Sequence, residues 1–140
     1  MAEDKLAKIA EQNRKMAEAQ EKKGLTGGQI LAVSGQINEL KTALRKMKDA
    51  RSDWKDHAKS VNDIELPNTW RGVRADDAKN HLSDAQGKTH GITDDMKYAI
   101  EAVETKIKEL EAEKAAHAST MSVLDGIIAA ATSMIRDLEK

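Results

Sequence analysis

The sequence predicts an all-α fold: an elongated antiparallel helical hairpin, heptad-patterned, with an extra N-terminal helix. Three observations carry that expectation. Apolar residues recur at alternating steps of three and four over long stretches. A single proline, Pro67, stands near the middle of a chain rich in Ala, Glu, Lys and Leu. Aromatic residues make up 2% of the 140 residues, with no Phe, which is too few for an all-β sandwich. Charged residues are 34% of the chain, yet 23 basic and 24 acidic side chains leave a formal charge of −1. That balance removes the usual electrostatic argument for nucleic acid or an acidic membrane surface as partner. With no cysteine, disulfides and thiolate chemistry are out. No apolar stretch follows Met1-Ala-Glu-Asp-Lys5, so a Sec signal peptide is not expected.

Taken in order, residues 2–23 read as a helix with Leu6, Ile9 and Met16 on one stripe. Gly24-Leu-Thr-Gly-Gly28 reads as a hinge, 24–28, within a single domain covering 1–140. The first long helix is expected over 29–65. Its inward positions are Ile30, Val33, Ile37, Leu40, Leu44, Met47, Arg51, Trp54, Ala58 and Val61, and only Arg51 breaks the apolar character. Pro67 lacks an amide hydrogen and biases Leu66 away from helical angles, so this helix should end near Glu65. Residues 66–72 form the turn.

The second long helix is expected over 73–139. Its seam starts at Ala75, Ala78, Leu82 and Ala85 and resumes at Ile92, Met96, Ile100, Val103, Ile107 and Leu110. Lys114 and His117 follow, then Met121, Leu124, Ile128, Ala131, Ile135 and Leu138. Gly87 and Gly91 mark a soft spot at 87–92, where a kink or short break is expected. Thr93, followed by Asp94 and Asp95, is placed to cap a renewed helix. Trp70 has 69 residues before it and 70 after, so a reversal there pairs the two halves. Two helices alone cover only one flank of each other, which predicts a partner or a self-dimer.

The sharpest local signal is Leu66-Pro-Asn-Thr-Trp70-Arg-Gly72. Gly permits a tight reversal without a Cβ penalty, and Trp can cover the open end of a helix pair. A Trp-x-Gly between two heptad helices resembles the WXG superfamily, the small helical hairpins of bacterial type VII secretion. The resemblance implies that Trp70 and Gly72, with Pro67, form the turn motif. It also implies that Trp70 projects towards a groove made with a partner. This chain is longer on both arms than typical members. It looks most like the accessory proteins encoded beside LXG toxins, which bind the toxin's helical N-terminal region and target it for export. The resemblance thus implies a bacterial chaperone-like protein, cytoplasmic before export and either retained or secreted without a cleaved signal peptide. Its implied partners are an LXG toxin region, another small WXG-like protein, or both, with a homodimer also open. Tyr98 does not supply the Tyr-x-x-x-Asp/Glu export signal of such systems, because Ala102 occupies the fourth position.

Residues Ala115 to Ile135 contain one acidic or basic residue, Asp125. Ser, Thr, His and that central Asp argue against membrane insertion despite the length. Two readings stand together: a docking surface for partner helices, and packing against the chain's own N-terminal helix. Candidate partner-binding residues are Met121, Leu124, Ile128 and Ile135, with Trp54 on the first long helix.

No catalytic residue, metal or cofactor is expected. Gly24–Gly28 lacks the Gly-Lys-Ser/Thr ending of a phosphate loop. His57, His81, His90 and His117 never form a His-x-x-x-His pair, and Asp77 with His81 is a poor metal site. Two thin helices offer no cleft for a nucleophile, base and oxyanion donors. The rival readings are a self-associating structural coiled coil, and an enzyme or metal-binding bundle needing an inward carboxylate/His cluster.

Overall fold

A computed structural model describes residues 2–140. Among them are two helices, α1 (Ala2–Asn62) and α2 (Val73–Glu139), packed as a helical hairpin, and no strand. Their contacts divide into two compact units. One contains α1 as far as Asn38 together with Lys108–Lys140, and the other is Glu39–Ile107.

In the first unit, Met16 lies beside Thr132 and Lys23 beside Asp125. Seven residues forward on α1 match seven backward on α2, which is an antiparallel heptad register. Ala19, Val33 and Ile37 of α1 are buried, as are Leu110, Leu124 and Ala131 of α2. In the second unit Trp54 meets Thr93 and Gln86 meets Val61, again seven forward against seven back. Its buried apolar residues are Ala58, Ala75, Ile100 and Ile107.

Three sequence expectations are corrected. The hinge at 24–28 is absent: α1 is helical through Gly24, Gly27 and Gly28, so 2–23 is not a separate helix. The reason is phase. Ile9, Gln12, Met16, Ala19, Lys23, Thr26, Ile30 and Val33 are all at least half-buried, and their steps of three and four never slip. Thr26 is buried in the middle of the glycines. Packing on both sides outweighs the helix cost of glycine, about 1 kcal/mol per residue relative to Ala.

The first helix also ends at Asn62 rather than Glu65. Asp63 N donates to Lys59 O at 2.9 Å, and Ile64 N closes a tighter turn on Val61 O at 3.2 Å. Gln86 Nε2 reaches across to the carbonyls of Val61, Asn62 and Ile64 at 3.2, 3.4 and 3.4 Å. One side-chain amide therefore serves the orphan acceptors of the helix end, and the chain leaves the helix before Pro67 forces it to.

Finally, α2 runs without a break through Gly87 and Gly91, and its seam there is polar. Ala85 and Ile92 face outward, while Gln86, Thr89 and Thr93 take the inward positions. Counting three and four from Leu82 reaches these residues directly; reading for apolar side chains skips them. Thr93 is not a cap. Its hydroxyl donates to Thr89 O at 2.9 Å within the helix.

Candidate partner-binding surfaces

The turn is built from hydrogen bonds close in sequence. Trp70 N donates to Pro67 O at 3.1 Å, closing a four-residue turn over Asn68-Thr69. Arg71 Nη1 donates to Asn68 O at 3.1 Å. Gly72 has φ +106°, a region open to glycine and strained for other residues. Its carbonyl accepts the first bond of α2, from Asp76 N at 3.0 Å, so Gly72 is the residue at which the chain swings into the helix. Asp76 lies in the first turn of α2, where the helix dipole favours a carboxylate. Trp70 is 47% exposed, with Ile64 and Val73 also exposed beside the turn. A tryptophan left this open is available for contact, not consumed as a plug.

Trp54 is differently placed. It is half-buried in the seam of the second unit, and its Nε1 donates to Thr93 Oγ1 at 2.9 Å. Thr93 passes a bond to Thr89 O, and Thr89 Oγ1 donates to Ala85 O at 2.7 Å. This chain of bonds gives the indole of Trp54 and the hydroxyls of Thr93 and Thr89 their partners. Arg51 also sits in the seam and leaves its Nε without a partner, as does Asn62 Oδ1. The groove beside Arg51 is lined by Lys48, Lys55 and Lys97 against Glu101 and Glu104.

In the first unit, Leu124 is 6% exposed, and Met121, Ile128 and Ile135 are half-buried on the same seam. The hairpin itself thus uses the four residues that the sequence offers as a partner surface. On α2 the open apolar residues are their neighbours, Val123 at 63%, Ile127 at 43% and Met134 at 52% exposure; on α1 of the same unit Leu6, Leu25 and Leu31 are also exposed. With Ala130 the three on α2 follow steps of four, three and four, one helical stripe beside the seam. Sequence reading missed them by following a single phase, although the near absence of charge over 115–135 signalled more than one apolar face.

Across from this stripe, α1 contributes Lys15, Glu18 and Lys22 to a shared groove whose floor is Ala19, Leu124 and Ala131. The opposite flank is closed by Lys23 Nζ to Asp125 Oδ1 at 2.7 Å. Thr132 Oγ1, which donates to Ile128 O at 2.8 Å, adds a 3.5 Å contact to Met16 Sδ on that side. The chain matches the model of one protein family, described as YwqH-like, over residues 9–139. It belongs to the YwqH-like family. That match takes in α1 from Ile9, the turn and all of α2. No curated protein and no solved structure matches the chain at a significant level.

Among the described residues no group of three His, Asp or Glu side chains is arranged to hold a metal. His117 Nε2 lies 3.6 Å from Glu113 Oε1, one turn away on the same helix. Part of α2 is long and apolar enough to cross a membrane by length and composition alone. An 18-residue window there has mean hydropathy 1.4, and 11% of it is buried.

Proposed function

We propose that this chain is a non-catalytic accessory and targeting protein, chaperone-like in action. It binds the helical N-terminal region of an LXG toxin and brings it to type VII export. The observation that carries the reading is the open apolar stripe of Val123, Ile127 and Met134 beside the hairpin seam. Membership of the YwqH-like family over nearly the whole chain supports it, as does the likeness of Trp70-Arg-Gly72 to the WXG turn.

Burying the stripe against toxin helices removes apolar surface from water, at roughly 25 cal/mol per Å² of area covered. The joined helices then offer the exposed Trp70 turn to the export machinery. Tyr98 is exposed but lacks an acid at the fourth position, so the missing part of the signal comes from the toxin. On this reading the protein acts in the bacterial cytoplasm before export and needs neither metal nor cofactor.

The test is Trp70→Ala, checked by circular dichroism for an unchanged helix content, then scored for toxin binding and for toxin in the culture medium. The reading expects toxin binding to persist and export to fall. Export equal to wild type would remove the turn from the mechanism.

A further inference from the structure

The first unit shows two unlike flanks, and the difference specifies what covers the open one. Asp125, the only acidic or basic residue between Ala115 and Ile135, is held by Lys23 on the closed flank. The open flank of α2 is therefore uncharged. The α1 wall facing it carries Lys15 and Lys22, and Lys8 continues their seven-residue spacing on the same helical face. Glu18 also lines this wall, and Glu11 stands seven residues before it on the same face. Glu18 is taken by Arg14 at 2.9 Å, and Glu11 stands 3.9 Å from both Arg14 and Lys15. Among the described residues, no ion pair engages Lys22.

We infer that this groove holds one partner helix, whose apolar face lies on Val123, Ile127 and Met134 and whose acidic edge runs along Lys8, Lys15 and Lys22. The inference rests on the binding role proposed above and adds which flank is used and the charge of the occupant. A second copy of the chain fits less well. In a closed two-fold pairing the stripe of Val123, Ile127 and Met134 meets itself, and those residues carry no carboxylate to pair with the lysine row. A helix spanning lipid fits less well too, because Asp125 would have to enter the hydrocarbon.

The experiment measures affinity of the full chain for the N-terminal region of the LXG toxin encoded beside it, by isothermal titration at low and high salt. Ile127→Glu should weaken binding at least about 30-fold, as expected for a central apolar anchor. Lys15→Glu with Lys22→Glu should weaken it about 10-fold at low salt. That loss should shrink towards none in roughly 1 M salt, where screening acts over about 3 Å. Ala129→Glu, on the closed flank, should leave affinity within about twofold; circular dichroism confirms that each variant folds.

A complex that forms with wild type but ignores Ile127→Glu and the lysine reversals overturns this assignment and leaves the binding role standing. A chain that binds no toxin region removes both. A stable dimer of the chain alone, split by Ile127→Glu, puts a second copy on the stripe and overturns the assignment. Uptake by phosphatidylglycerol vesicles, lost in Ile127→Glu, puts lipid there and does the same.

Discussion

Each compact unit has its own antiparallel heptad pairing, and the two fill their seams differently. The unit containing the turn places Trp54, Gln86, Thr89 and Thr93 inside: Trp54 and Gln86 donate across from one helix to the other, while the Thr89 and Thr93 hydroxyls bond back within α2. The other unit packs mainly small and aliphatic residues, Ala19, Val33, Leu110, Leu124 and Ala131 with Thr26 among them, and on α2 keeps Val123, Ile127 and Met134 outside. A polar seam rewards one alignment, because a slip would leave indole, amide and hydroxyl groups unpaired. The more aliphatic seam of the other unit tolerates more, and the stripe beside it can serve another chain. The first arrangement fixes the hairpin; the second offers a surface.

That contrast can be broken by substitution. Leu124→Ala, in the apolar seam, should cost about 2–4 kcal/mol in thermal or urea unfolding. Val123→Ala, one residue away on the open stripe, should cost less than about 0.5 kcal/mol. Equal costs would mean that the stripe is part of the core.

In the polar seam, Trp54→Phe and Thr93→Val should each cost about 1–2 kcal/mol, and the double variant clearly less than their sum. Additive losses in a double-mutant cycle would remove the Trp54–Thr93 bond from the account. Gly72→Ala should cost about 1 kcal/mol from backbone strain alone, since a Cβ there meets nothing within 4 Å. Unchanged stability in that variant would show that the turn does not need its positive φ.

The smallest effect has the opposite sign. A Cβ at Gly24 or Gly28 would also meet nothing, and both positions are helical. Each change to Ala should therefore stabilise by up to about 1 kcal/mol. A loss of stability would restore the hinge that the sequence suggests there.

Much of the fold was legible because heptad spacing is a one-dimensional signal. The reversal at Trp70-x-Gly72 and the start of α2 at Val73 follow from Pro67, Gly72 and the seams on either side. The continuity across Gly24–Gly28 was hidden because local propensity favours a break, while the deciding fact is the buried Thr26 holding the phase. Thr93 looked like a cap for a similar reason. Its hydroxyl and the acids behind it suit a helix start, but the indole of Trp54, far away in sequence, gives it an inward partner. For the binding surface, apolar character on α2 was visible, but not which apolar residues the hairpin would use itself. Leu124 and Val123 are adjacent and differ only in the side they present to α1.

The most direct test of the central claim is solution mass by light scattering, for the chain alone and mixed with the LXG N-terminal region. The account predicts a species near 15.4 kDa alone that converts to a defined heterocomplex on mixing. A stable homo-oligomer whose mass does not change when the toxin region is added would contradict it and favour a self-associating structural coiled coil.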